Sequence, residues 1–327
     1  MDGQEYVTWA RVLTLISGLG WAAWLDHKYR RVPNQFWITW AGPAIFLWTL
    51  DIFLQGGEWY VLASASAVVA YASMSVIGRA SLKDATRGSR LDQIVLLWYT
   101  LSLIGVGYGA YLHAQVDLLA LMTGSAAPAE TLWWTTIATA LPILLFDMGW
   151  RVRLIHGGAD AKALMWVTLV IPSWNAVPIL YSSSMDSATV ALPPALALMI
   201  WGGFVFLALP FIMIIRNLIA GNTTPLRLIW HAEMMPLARV ADEHVWLLSE
   251  LMEMPSGETV VHHRTRAPSR TPSAEELAQQ LSKLAEHGAE RVWVTRKYPL
   301  LVFLWPATAL ILLIGGPMAF LMPLLGI

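Results

Sequence analysis

The chain has 327 residues, 57% hydrophobic and 13% charged, with a net charge of −1 and a mean hydropathy of +0.55. A water-soluble protein carries about 25% charged and about 45–50% apolar residues, which excludes an ordinary soluble enzyme and a disordered chain. The balanced charge also excludes a nucleic-acid binder, which needs a basic surface to neutralise phosphates.

There are no cysteines, which removes disulfides, thiolate zinc sites, iron–sulfur clusters and thiol nucleophiles. The 18 Trp, many beside apolar runs, read as the aromatic belts of a polytopic membrane protein.

A bilayer core about 30 Å thick needs roughly 17–25 apolar helical residues per crossing. Eight stretches qualify: 6–25, 35–54, 58–78, 92–114, 131–149, 161–182, 191–215 and 299–324. The first is read as a retained span and not a signal peptide, because Asp2 and Glu5 stand where a basic leader region belongs. The expected fold is an all-α polytopic membrane protein of about eight transmembrane helices with a small cytoplasmic α/β insert. Residues 1–215 form a catalytic membrane domain of seven spans, 216–298 the insert, and 299–327 the final span.

Sidedness follows from the basic residues, which gather on the cytoplasmic side. With the N-terminus outside, segments 26–34, 79–91, 150–162 and 216–298 lie inside and hold 20 of the 21 Lys and Arg. Arg11 is the exception. The outer connections carry Asp51, Glu58, Asp117, Glu130 and Asp186 and no Lys or Arg. Both termini are therefore expected outside. The stretch 58–78 is rich in Ala and Ser, but omitting it would break the alternation of basic loops.

Within the insert, 217–239 mixes Pro with apolar residues. His244 to Met252, a turn over 255–258 and Thr259 to Arg264 predict a β-hairpin. Ser273-Ala-Glu-Glu276 is a capping box opening an amphipathic helix to about His287, with Gly288 as its stop. Arg291 to Thr295 predicts a short strand feeding the last span. A domain this small buries little core on its own, so it is expected to handle a partner or substrate rather than the chemistry.

Two clusters break the membrane pattern. Asp26-His-Lys-Tyr-Arg-Arg-Val-Pro33-Asn34 ends the first span, and His156-Gly157-Gly158-Ala159-Asp160-Ala-Lys162 opens the sixth. Sidedness puts both acids on one face although 134 residues separate them. Taken singly, Asp26 also reads as a charged anchor and Asp160 as the N-cap of a helix. Taken together they supply what an aspartyl protease requires: two carboxyls sharing a proton, one activating water and the other donating to the scissile carbonyl. Helix ends alone would favour ionised Asp160 at an N-terminus and protonated Asp26 at a C-terminus. Gly157, Gly158 and Ala159 leave room for an extended peptide backbone.

Asp-x5-Val-Pro-Asn after a first span, with Gly-Gly-Ala-Asp-Ala-Lys at the start of a later one, resembles the prepilin peptidase family of GxGD-type membrane aspartyl proteases. The second motif, the insert and Trp293-Val-Thr-Arg-Lys-Tyr-Pro299 are similar to its archaeal preflagellin and prepilin peptidase branch. The resemblance implies an aspartic endopeptidase that removes the short basic leader of type IV pilin-like or archaellin precursors at the cytoplasmic face. It implies Asp26 and Asp160 as catalytic residues, supported by Pro33, Asn34, Gly157, Gly158, Ala159 and Lys162. Ala159 departs from the second Gly of the GxGD pattern. The eight expected spans exceed the six or so of archaeal members, and the absent cysteines leave no zinc segment and no implied N-methylation.

The expected partners are such precursors and the lipid bilayer, with no nucleic acid, metal or organic cofactor. His231, His262 and His263 lack a third ligand at usable spacing, and no P-loop is present. Asp147 faces the same side as the pair but has Arg151 at i+4, the spacing of a helix salt bridge. Two rivals are an ion-coupled transporter using a paired-acid site and an inactive scaffold of pilus assembly. A transporter favours acids near the midplane and internal repeats, and neither feature is visible.

Overall fold

The computed structural model describes residues 3–180, 192–255, 257–270, 272–318 and 321–322. Asp186, expected in an outer connection, and Ser256, expected in the hairpin turn, lie outside them. The helices are α1 (Gly3–Tyr29), α2 (Asn34–Leu54), α3 (Trp59–Ile77), α4 (Leu82–Thr86), α5 (Arg90–Leu112), α6 (Leu118–Thr123) and α7 (Pro128–Ala138). They continue with α8 (Ala140–Arg151), α9 (Gly158–Val170), α10 (Pro194–Leu207), α11 (Leu209–Ile219), α12 (Ala274–Glu286) and α13 (Leu301–Leu313). The strands are β1 (Glu233–Pro236), β2 (Val245–Leu247), β3 (Ser249–Glu253), β4 (Thr259–His263) and β5 (Arg291–Arg296).

Five helical segments among the described residues are long and apolar enough to cross a membrane, as a membrane protein requires. They are Asn34–Leu54, Trp59–Ile77, Arg90–Leu112, Pro128–Arg151 and Pro194–Ile219. At 27 residues α1 has the length, but it carries Arg11 in mid-stretch and is not one of the five.

Two of the eight expected stretches are not continuous spanning helices. The stretch 161–182 is helical only to Val170, because Pro172 disfavours helical backbone at Ile171. At 13 residues α9 is about 20 Å long, short of the bilayer core. The stretch 299–324 gives α13, also 13 residues, which stops before Gly315 with its left-handed φ of +86°.

The chain divides into two compact units, Met1–Gly203 with Pro299–Ile327, and Phe204–Tyr298. In the first, α9 is the central element. Ala161 and every residue from Ala163 to Val170 are buried, and α1, α2, α3 and α8 pack around it. Apolar residues on all sides give α9 no polar face to turn outward, so it must be enclosed. Its approach to α1 depends on Gly18, where a Cβ would come within 2.4 Å of the Trp166 ring. Trp166 Nε1 in turn donates to the Trp40 carbonyl at 2.8 Å, tying α9 to α2.

In the second unit β1, β5 and β2 form an antiparallel sheet in that order, and β3 pairs with β4. The run expected as one strand from His244 to Met252 splits at Leu248. Its first part joins β5 and its second makes the hairpin with β4. Met235, Val240, Leu284, Val292 and Val294 form the core beneath α12. The capping box has the expected form: Ser273 Oγ accepts from the Glu276 amide at 3.1 Å and Glu276 accepts from the Ser273 amide at 2.8 Å.

Candidate active site

Asp26 sits in the last turn of α1 and is buried, with 7% of its surface exposed. The helix closes three residues later, and Arg30 adopts a left-handed φ of 54° as the chain turns toward α2. Pro33 is the N-cap of α2, its fixed φ of −66° suiting a helix entry. Asn34 is then the first residue of α2, and its side chain is free for longer-range bonds. Asn34 Nδ2 donates to the Val76 carbonyl in the last turn of α3 at 2.9 Å. Its Oδ1 accepts from Lys162 Nζ of α9 at 2.8 Å.

Asp160 lies in the first turn of α9, but not at its N-cap. Gly157 is the N-cap, so Asp160 is the third helical residue, and its side chain turns back toward the helix start. A Cβ on Gly157 would lie 2.2 Å from Asp160 Oδ2, so the carboxyl packs directly against the glycine. Any side chain there would displace the Asp160 carboxyl from this position. Gly158 is looser, its nearest prospective contact being the Trp150 ring at 3.3 Å. Lys162 Nζ stands 5.7 Å from the same Trp150 ring. Ala159 and Asp160 are both partly buried. Asp160 Oδ1 is buried with no hydrogen-bond partner among the described residues.

The two motifs therefore meet at one end of the helix group. Pro33 starts α2 beside the end of α1, Asn34 holds Lys162, and Asp26 lies close enough for its charge to act on Asp160.

No family model matches the chain, and no curated protein matches it either.

Asp26 and Asp160 lie outside the apolar stretches 6–25 and 161–182 and outside the five spanning segments. Burial raises the Asp26 carboxyl above the ordinary aspartate value, and Arg30 and His27 oppose that rise. Burial raises Asp160 to about 7, with the negative charge of Asp26 adding to it. Burial and mutual charge are what helix ends alone leave out. The favourable dipole at the start of α9 is outweighed by desolvation and by a neighbouring acid, whereas Asp26 has cationic neighbours. Both carboxyls are thus raised, and the charge of one disfavours ionising the other, so the pair favours holding one proton between them. Such a pair can remove a proton from water while donating one to a carbonyl oxygen.

Asp147 is committed elsewhere. Its Oδ2 accepts from Arg151 Nε at 2.8 Å and from the Tyr71 hydroxyl at 3.3 Å, and its Oδ1 from Arg151 Nη2 at 3.1 Å. The i+4 salt bridge read from the sequence is present. Among the described residues no group of three or more His, Asp or Glu could hold a metal ion.

Two features escaped the sequence reading. Asn34 serves as a junction between α3 and α9, a role that spacing along the chain does not encode. Arg11, the one basic residue off the charge pattern, is fully buried and paired with Asp51 at 2.8 Å. Its signal was legible, because a charge inside an apolar span calls for a partner.

Proposed function

We propose that this chain is a membrane-embedded aspartyl endopeptidase of the prepilin peptidase type, cutting the short basic leader from type IV pilin-like or archaellin precursors. The supporting observation is the junction of the two acid-bearing motifs: Asn34 and Lys162 are hydrogen-bonded, and Asp26 bears electrostatically on Asp160. Asp26 accepts a proton from water, which attacks the scissile carbonyl, while Asp160 donates its proton to the carbonyl oxygen. Asp26 then passes its proton to the leaving nitrogen as the C–N bond breaks, and Asp160 recovers a proton from a hydroxyl of the tetrahedral diol, which completes hydrolysis with no covalent intermediate. The one net negative charge of the pair suits a leader rich in Lys and Arg.

In this proposal both acids face the cytoplasm with the 216–298 insert, and the chain crosses the bilayer eight times with both termini outside. The sixth crossing is α9 from Ala161 onward, completed by non-helical backbone, which a membrane protein tolerates where protein surrounds it. The last crossing is α13 with the residues after it. The precursor's apolar helix enters from the lipid, leaving its leader in the cytoplasm.

The test is co-expression of a tagged pilin-like precursor with the native chain, Asp26→Asn and Asp160→Asn. Leader removal by the native chain and by neither variant supports the proposal. Removal by either folded variant excludes the acid pair as its agent.

A further inference from the structure

The guanidinium of Arg11 is fully buried in α1, far along the helix from Asp26. Fifteen residues of helix separate the two, about 22 Å. Arg11 Nη1 donates to the carbonyl of Val170, the last residue of α9, at 2.7 Å. Its Nη2 donates to the Leu47 carbonyl at 3.3 Å and to Asp51 Oδ2 at 2.8 Å, both on α2. Asp51 Oδ1 is itself held by Gln55 Nε2 at 2.9 Å. The final carbonyls of a helix have no partner within it, and a cation is favoured at that negative end. Arg11 meets both needs for α9.

α1 thus carries Arg11 about 22 Å along its axis from Asp26, and α9 carries Val170 at one end and Asp160 at the other. We infer that Arg11 is a positioning residue for the acid pair: by clamping the end of α9 to α1 and α2, it fixes how far along α1 Asp160 stands. Gly18 and Trp166 set the spacing of the two helices between the ends, but a flat ring against a glycine does not stop sliding along the axis. A directed bond to a terminal carbonyl does. A buried ion pair adds little net stability compared with apolar packing, and its best-attested use is to fix register. Arginine suits the task because its planar fork reaches three acceptors on two helices, which the single ammonium of lysine cannot do.

The effect on cleavage rests on the function proposed above; the effect on helix position does not. The test uses the full chain, whose lack of cysteine gives a clean background for labelling. Lys28→Cys at the end of α1 and His156→Cys just before α9 are both exposed positions. Spin labels there report the distance across the acid-bearing ends. Arg11→Met is expected to shift or broaden that distance distribution, and Arg11→Lys to do so less. With a cleavable precursor, kcat is expected to fall about tenfold or more in Arg11→Met, since a misplacement on the order of 1 Å costs about 10²-fold. KM is expected to stay within about twofold, and Arg11→Lys to recover part of kcat.

A folded Arg11→Met chain with the native distance distribution overturns the inference. A lower melting midpoint with no change in distance also overturns it, since that is the mark of a merely structural residue. Should Arg11→Met not accumulate as folded protein, Arg11→Lys decides by the same distance measurement. Absence of cleavage by the native chain counts against the proposed function alone, because the distance measurement needs no substrate.

Discussion

Lys162 Nζ donates a 2.8 Å hydrogen bond to Asn34 Oδ1, joining residues 128 positions apart. Asn34 begins α2 and Lys162 lies in the first turns of α9, so the bond fastens the entry of one helix to the entry of the other. The same amide reaches the Val76 carbonyl, which brings the end of α3 into the junction.

Asn34→Ala removes both bonds. An intramolecular hydrogen bond contributes on the order of 0.5–1.5 kcal/mol, and both of these are exposed, so the fold is expected to survive with a modestly lower melting midpoint. Cleavage of a pilin-like precursor is expected to fall about tenfold or more, as Lys162 and the first turn of α9 lose their anchor. Melting and precursor cleavage measured on one preparation separate the two effects.

Gly157 and Gly158 are adjacent but should respond differently to alanine. A methyl group at 157 meets Asp160 Oδ2 at 2.2 Å and forces the carboxyl away, whereas at 158 it meets only the Trp150 ring at 3.3 Å. Gly157→Ala is expected to lose about 10²-fold or more in rate, and Gly158→Ala less than tenfold. Circular dichroism of both variants checks that the helices persist.

The pH dependence follows from Asp160, raised by burial and by Asp26 to about 7. Between the ordinary aspartate value and about 7 the folded chain binds a proton that the unfolded chain has released, so this group lowers stability as pH rises through that window. Asp160→Asn removes the dependence. It is expected to be more stable than the native chain above pH 7, with the difference closing toward pH 4. Precursor cleavage by the native chain is expected to decline as pH rises through about 7, where the donated proton is lost. Melting midpoints and cleavage rates across that range test both statements.

Asp147→Asn should leave cleavage within about twofold. Its carboxylate is occupied by Arg151 and Tyr71, and the loss of that pairing acts on the α3–α8 contact rather than on the acid pair. A loss of more than about tenfold in a folded variant would make Asp147 part of the chemistry.

Much of this was legible along the chain, and the failures share a cause. Asp26 and Asp160 stood out as acids at the edges of apolar runs, and the capping box at Ser273 is a local code that reads directly. What was hidden depends on three-dimensional neighbours. The run 161–182 is mostly apolar, and periodicity cannot distinguish a helix that continues from one that breaks before Pro172 inside a protein core. Helix ends alone say nothing of the burial that raises both carboxyls or of the Asp26 charge that acts on Asp160. Arg11 stands out in the charge count as a residue needing a partner, but only the fold shows those partners to be the Val170 carbonyl and Asp51.

The claim on which the account turns is that Asp26 and Asp160 titrate as a pair. The direct measurement is the protonation of the Asp160 carboxyl by infrared difference spectroscopy in the native chain and in Asp26→Asn. The signal is assigned by its disappearance in Asp160→Asn. Removing the Asp26 charge is predicted to move the Asp160 midpoint downward from about 7. An unchanged midpoint would mean that the two acids do not sense each other, and the shared-proton mechanism would be contradicted.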